Sequence, residues 1–362
     1  MQLAIFNEFN SYNFYTRLNA PEKLISIQNR RFLGNKFKLL TFIKKVIEEN
    51  CTKVKVICDI FAGTGVVGNY LSRENNCVIF NDILKSCTVP IKAFCTATAY
   101  SREKMEDYIE IFNELKINED KDNYFSLNFG GKYFTTNIAR KIGVIRELIG
   151  QMDATEEERN ILITSLLYAV DKIANTVGHY DAYRRILDSS QRLELKPLNI
   201  PSEKNFGNLV YEEDANSLIR ELKDIDLLYI DPPYNSRQYS DTYHLLENLV
   251  RWEKPEVFGK AAKMDRKNIK SNYCTRDAFN TFQDLINNAD CRYILMSYNN
   301  TGDKRDARSN NRISHEEIGG ALERRGKVKL FEQNYKEFTT GKTILRNDHK
   351  ETLYLCEVAR ED

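Results

Sequence analysis

Residues 227–234 read Leu-Leu-Tyr-Ile-Asp-Pro-Pro-Tyr. The apolar run predicts a buried parallel strand. Asp231, Pro232, Pro233 and Tyr234 follow at its C-terminal end, where open α/β sheets place their sites. Proline carries no N–H and stiffens the turn, so the carbonyls there stay available as acceptors beside the Asp231 carboxylate. A paired acceptor is what an exocyclic amino group requires, and Tyr234 adds a ring face for a planar base. The competing reading is a Pro-Pro strand stop with an incidental acid and aromatic. A glycine turn earlier in the chain weighs against it.

That turn is Asp59-Ile60-Phe61-Ala62-Gly63-Thr64-Gly65. It follows an alternating, β-branched stretch at 53–58 and leads into a helical pattern. Glycines let the backbone approach a ligand closely, and a helix N-terminus favours anionic groups. A second short strand at 77–80 ends on Asn81-Asp82, where a carboxylate can accept hydrogen bonds from ribose hydroxyls. Gly63, Gly65 and Gly68 also satisfy the GxGxxG spacing. By itself that spacing fits a dehydrogenase nucleotide loop, or a tight strand-to-helix turn with no ligand, equally well.

These residues need a framework of βα units. Strands are predicted at 53–58, 77–80, 209–215, 226–230, 292–297, 328–335 and 352–358, the last two as a long hairpin around 336–351. Helices are predicted at 100–117, 137–150, 156–175, 241–252, 277–288 and 314–325. The stretch 118–136 reads as an irregular loop, and 188–208 as loop. The fold class is α/β: a doubly wound, mostly parallel sheet with a C-terminal antiparallel hairpin. A mainly helical insert covers 100–208, between 29–99 and 209–362, with 1–28 as an N-terminal extension.

The 362 residues leave room for a large core, and 42% hydrophobic with 29% charged residues is ordinary for a globular chain. No apolar run reaches the length of a membrane helix, and the first residues lack a secretory pattern. A cytoplasmic location is the expectation. The eight cysteines form no CxxC pair, and the four histidines are scattered. Buried thiols in a reducing compartment are expected rather than disulfides, a zinc site or a nucleophile, and no metal is expected. His179 and His244 read as structural, and Trp252 as a helix anchor.

The net charge is only +1, yet six basic and no acidic residues fall between Arg30 and Lys45. Between Arg251 and Arg276 there are eight basic and three acidic residues. Such clusters make a positive face for phosphates, or merely solvated surfaces. The segment 253–276 reads as a surface loop, mobile until phosphates arrive. Lys260, Lys263, Arg266, Lys267 and Lys270 are its candidate contacts. Arg237 beyond the Pro-Pro segment is another. Tyr180, Arg184 and Arg185 lie in a segment that suits phosphate contacts or an intercalating tyrosine, or simply a loop packed beneath the sheet.

Over roughly residues 29–358 the chain resembles the DNA adenine-N6 methyltransferases, in the order of motifs of their α-group. Residues 30–40 look like the family's N-terminal cofactor motif, with Lys36 as its lysine; Asn35 stands where many members have a second glycine. Residues 59–65 are similar to its D-x-F-x-G-x-G loop, Asp231 to Tyr234 to its catalytic tetrapeptide, and residues 297–300 to a further motif. The resemblance implies S-adenosylmethionine as cofactor, held by Lys36, Asp59, Phe61, Ala62, Gly63, Gly65, Asp82 and, near the adenine, Asp214. It implies methyl transfer to a flipped adenine in double-stranded DNA, by a monomer or weak dimer, in a restriction–modification system. It makes 100–208 the target-recognition lobe. Members that act on cytosine N4 usually carry Ser at the Asp231 position, and protein-glutamine enzymes Asn. An RNA adenine methyltransferase and a catalytically silent nucleic-acid-binding module remain the alternatives.

Overall fold

A computed structural model describes residues 24–118, 120–233, 237–299, 313–334 and 350–359. Among them, seven strands form one sheet in the order β3-β2-β1-β4-β5-β7-β6. They are β1 (Val56–Asp59), β2 (Cys77–Asn81), β3 (Leu209–Tyr211), β4 (Ile225–Ile230), β5 (Cys291–Asn299), β6 (Gly326–Asn334) and β7 (Lys350–Val358). The first five strands in this spatial order, β3 to β5, pair in parallel. β7 pairs antiparallel with both β5 and β6, which is the hairpin read from the sequence.

β4 lies between β1 and β5, so both its faces must be apolar. Leu227 and Tyr229 enter one core cluster, and Leu228 and Ile230 the other. This alternation is the period-two geometry of a strand covered on both sides. The acid at its start is consumed locally. Asp226 accepts from the amides of Lys55 (2.8 Å) and Val56 (3.0 Å), where β1 begins, and pairs with Arg292.

The first face is covered by α1 (Leu40–Asn50), α2 (Val66–Leu71), α3 (Lys85–Cys95), α4 (Arg102–Glu114), α5 (Tyr124–Phe129), α6 (Thr136–Gln151) and α7 (Glu156–Ile173), with α10 (His244–Arg251) following α9 (Tyr239–Thr242). The other face is covered by α8 (Ala215–Leu218), α11 (Ala278–Asn288) and α12 (His315–Glu323). Phe112, Ile142 and Leu166 of the 100–208 segment share a single buried cluster with Ile57, Phe80 and Phe94. The segment therefore packs onto the sheet's helical layer without a separate core.

Three expectations are corrected. The stretch 118–136 contains α5, whose amides at Phe125 and Ser126 are capped by the Asn123 side chain. The Phe125–Phe129 pair, four residues apart, carries its buried side. The helix expected over 241–252 is interrupted at Tyr243, between α9 and α10. Segment 253–276 is not a coreless loop. Ala262, Met264, Tyr273 and Cys274 are buried, and short 3-10 turns span Lys267–Ile269 and Asn272–Cys274. Trp252 caps the end of α10 in a left-handed conformation, and its indole N–H donates to Glu147.

No described helix is long and apolar enough to cross a membrane. All eight cysteines are free and six are buried. No cluster of three or more His, Cys, Asp and Glu suited to a metal occurs among the described residues.

Candidate active site

Parallel registry brings Asp59 of β1 opposite Phe80 of β2 and Tyr229 of β4. The residues just past these strands, Phe61 to Gly63, Asp82 and Asp231, therefore gather at one sheet edge. They line an open cleft of about 990 Å³. Lys36, Asp59, Phe61, Ala62, Gly63, Asp82, Asp214, Asp231, Pro232 and Pro233 all face it. Tyr234 lies outside the described residues.

The glycine turn is built by steric necessity. Gly63 has φ +55° and Gly65 has φ +78°, values that favour glycine. A Cβ on Gly63 would come within 3.1 Å of the Phe32 ring, and one on Gly65 within 2.7 Å of Ile91. Gly65 is the N-cap of α2 and lies behind the turn rather than on the cleft lining. Gly68 completes the spacing for packing: a Cβ there would meet Phe80 at 2.2 Å. Asp59 sits beneath the turn, 1% exposed, and accepts from the Gly68 amide at 3.1 Å. Burial pushes its carboxyl up to about 8, with Asp231 and Asp82 adding to the rise against the Gly68 hydrogen bond.

Asp82 accepts from the Gly63 amide (2.9 Å) with one oxygen and from the Leu84 amide (2.8 Å) with the other. Burial pushes it up to about 7, opposed by those two bonds and by Arg30. Arg30 is buried against the Phe32 and Tyr243 rings, and donates to the Ser86 carbonyl. Asp214 caps α8, accepting from Asn216 and Ser217, and keeps one edge on the cleft. Acceptors for hydroxyls, apolar walls from Phe32, Phe61, Val66 and Leu84, and backbone with no side chain at Gly63 fit a nucleoside with an attached polar chain.

Residues 32–36 are pinned from the opposite wall. Phe32 stacks on Tyr243 at 4.7 Å, the Leu33 amide donates to the Tyr243 hydroxyl, and the Tyr239 hydroxyl donates to the Leu33 carbonyl. That places Lys36, 4% exposed, with its Nζ 2.9 Å from Asp231 and 3.4 Å from Glu351. Glu351 in turn accepts from the Ser297 hydroxyl at 2.6 Å. Burial pushes Asp231 up to about 6; Lys36 opposes the rise and Glu351 adds to it. The Lys36 ammonium favours the ionised form of Asp231, the form that acts as a hydrogen-bond acceptor.

The basic candidates separate into two sets. Lys263 pairs with Asp181 and Asp241, and Arg266 with Asp241, so these two bolt the 253–276 segment to α9 and to the end of the helical segment. Arg237 lies 3.9 Å from Asp181, with half its side chain exposed. Lys260, Lys267, Lys270, Arg184 and Arg185 are exposed. Tyr180 is corrected: it is 2% exposed, and its hydroxyl donates to Asp171 at 2.8 Å. Its carbonyl accepts from the Tyr133 hydroxyl and contacts His244 Nε2. A tyrosine so enclosed has no face to offer a base. This is the packed-loop alternative for that residue.

Sequence reasoning did not single out Glu351 or Ser271. Gln238 exchanges two 2.8 Å hydrogen bonds with the Ser271 backbone, and both residues line the cleft. The available signal for Glu351 was an acid at the head of a strand whose middle, Leu353 to Cys356, is apolar and buried.

Comparison with known proteins agrees with this geometry. The modification methylase StsI of Streptococcus sanguinis is 33% identical over 75% of this chain and 44% of its own length. The type II methyltransferase M.NlaIII of Neisseria lactamica is 32% identical over 88% of this chain and 95% of its own. M.FokI of Planomicrobium okeanokoites is 32% identical over 75% of this chain and 45% of its own. The chain thus spans under half of StsI and M.FokI and nearly all of M.NlaIII. The family model for D12 class N6 adenine-specific DNA methyltransferases matches residues 32–307, from the Phe32 wall past the Asp231 edge, and the chain belongs to that family.

Proposed function

We propose that this chain methylates the N6 amino group of adenine at specific sites in duplex DNA, as the modification enzyme of a restriction–modification system. The observation that carries this reading is Asp231 followed by two prolines at a sheet edge, facing a cleft with a glycine turn and ribose-type acceptors. The names of the relatives support the restriction–modification setting.

Phe61, Ala62, Gly63, Asp82 and Asp214 are the residues to hold S-adenosylmethionine, with Asp59 supporting the turn from below; Lys36, with its Nζ 2.9 Å from Asp231, serves the amino-group side of the cleft instead. When bound, that cofactor supplies a methyl group on a positively charged sulfur. The adenine N6 lone pair is delocalised into the ring and is a poor nucleophile. Asp231 and the Pro232 carbonyl accept its two N–H bonds, which favours a pyramidal nitrogen. As N6 gains positive charge in the transition state, the Asp231 carboxylate stabilises it. The surplus proton leaves afterwards to solvent. Positioning supplies most of the rate. The target base must leave the stack, and Tyr234 is proposed as its platform. Arg237, Lys267, Lys270 and Arg184 are proposed to contact phosphates.

The test is methylation of duplex DNA by the purified chain with labelled cofactor, with modified bases mapped and structured RNA as competitor. Labelled N6-methyladenine at one sequence context is expected. Preferential labelling of RNA, or no turnover with intact cofactor binding, would contradict the reading.

A further inference from the structure

We propose that Glu351 and Ser297 are positioning residues for methyl transfer, holding the Lys36 ammonium against Asp231 and so fixing the carboxylate that receives the target amino group. This rests on the reading that Asp231 contacts that amino group.

Lys36 and Glu351 are almost wholly enclosed, with side chains 4% and 3% exposed, and Asp231 is 17% exposed. Charges taken out of water at this depth are kept only when they are paired and hydrogen-bonded. One ammonium serves two carboxylates, at 2.9 Å from Asp231 and 3.4 Å from Glu351. Lys36 is thereby drawn between two anchors rather than left to follow one.

Topology supplies the second anchor. Antiparallel registry sets Glu351 opposite Asn299 and Leu353 opposite Ser297. β7 therefore starts beside the C-terminal end of β5, the edge where β4 delivers Asp231. The fully buried Ser297 donates to Glu351 Oε1, the same oxygen that faces Lys36, and fixes that carboxylate. Lys36 engages Oδ1 of Asp231 at 2.9 Å. The order of control runs Ser297, Glu351, Lys36, Asp231. A lysine committed in this way acts on the amino-group side of the cleft, and a variant of Glu351 should change the rate of transfer before it changes cofactor affinity.

Among the described residues, the charged and titratable groups facing Asp231 are Lys36 before α1, Glu351 on β7, Tyr229 on β4 and Asp59 on β1. Glu351 disfavours ionisation of Asp231 by repulsion. Removing its charge lets Asp231 ionise at lower pH while loosening its placement. The two effects oppose each other in the acid range and separate on a pH profile.

The experiment measures single-turnover methyl transfer at saturating cofactor and DNA for Glu351→Gln and Ser297→Ala, with cofactor and DNA affinities by calorimetry and fluorescence. The plateau rate is expected to fall about 10- to 100-fold in Glu351→Gln and less in Ser297→Ala, because misplacing a reacting group by about 1 Å can cost about 100-fold. Affinities should stay within about twofold, since a loss confined to the chemical step marks an interaction made there. The acid limb of Glu351→Gln should move to lower pH. An unchanged plateau rate in both variants overturns the proposal. So does a loss of cofactor affinity that accounts for the rate loss, which would assign Lys36 to the cofactor. If Glu351→Gln does not fold, Ser297→Ala alone decides by the same criteria. Asp231→Asn measured alongside separates the two readings: if it transfers at the normal rate, the role given to Asp231 fails, whatever Glu351 does.

Discussion

The Asp82 carboxylate accepts a hydrogen bond from the Gly63 amide at 2.9 Å, tying the end of β2 to the glycine turn after β1. One acid thus shapes the turn and faces the cleft. Asp82→Ala should weaken S-adenosylmethionine binding by about 1.5–3 kcal/mol, the range for hydrogen bonds to charged groups. Asp82→Asn, which keeps an acceptor for Gly63, should lose less. Calorimetry on the free enzyme measures both, and unchanged affinity in Asp82→Ala would take Asp82 out of the site.

Asp231 titrates at about 6, raised by burial and by Glu351 against the pull of Lys36. The acceptor role needs the ionised form. Single-turnover rates should therefore be level above pH 7 and fall as the pH drops through about 6. A rate independent of pH between 5 and 8, with DNA and cofactor saturating, would show that Asp231 ionisation is not required.

Asp59, raised by burial to about 8, makes a stability prediction. A carboxyl whose folded value lies above its unfolded one contributes stability that is present at acid pH. That contribution is lost as the pH rises from about 4 through 8. Asp59→Asn stays neutral throughout and can still accept from Gly68. The melting temperature of the wild type should decline between pH 5 and 8 more steeply than that of Asp59→Asn. Parallel curves would mean that Asp59 is already ionised across that range, as an ordinary carboxyl would be.

The exposed Lys267 and Lys270 and the bolted Lys263 and Arg266 should behave differently. Lys267→Ala with Lys270→Ala should weaken cognate and non-cognate duplexes alike and reduce the salt slope by about one for each phosphate left without its lysine. Lys263→Ala should instead lower thermal stability, because its ion pairs with Asp181 and Asp241 are lost. Binding against log salt together with melting curves checks both. A loss confined to the cognate duplex would make the exposed lysines base readers.

Tyr180→Phe removes the hydroxyl that donates to Asp171 and should cost about 1 kcal/mol of stability. DNA affinity should not change. A selective loss of DNA binding without destabilisation would return Tyr180 to the interface.

Local chemistry was the legible part of the sequence. Gly63, Gly65 and Gly68 announce a turn because backbone conformation and a ring contact at Phe80 demand glycine there. An apolar run ending in Asp231 announces a buried strand and its exit. Distant pairings were not legible. Glu351 meets Lys36 only because antiparallel registry of β7 on β5 carries it to the Asp231 edge, and no local spacing encodes that. Likewise Lys263 and Arg266 read as free cations until the fold sets Asp181 and Asp241 beside them. Helix α5 was hidden among polar neighbours, although Asn123 and Ser126 form its capping box. Tyr180 was ambiguous because aromatics among basic residues suit either an interface or a core.

The central claim is that Asp231 acts on the reacting amino group. It is tested most directly by single-turnover methyl transfer in Asp231→Ala, with cofactor and duplex affinities measured on the same preparation. The account predicts loss of transfer with both affinities largely retained. Near-normal transfer by Asp231→Ala would contradict it.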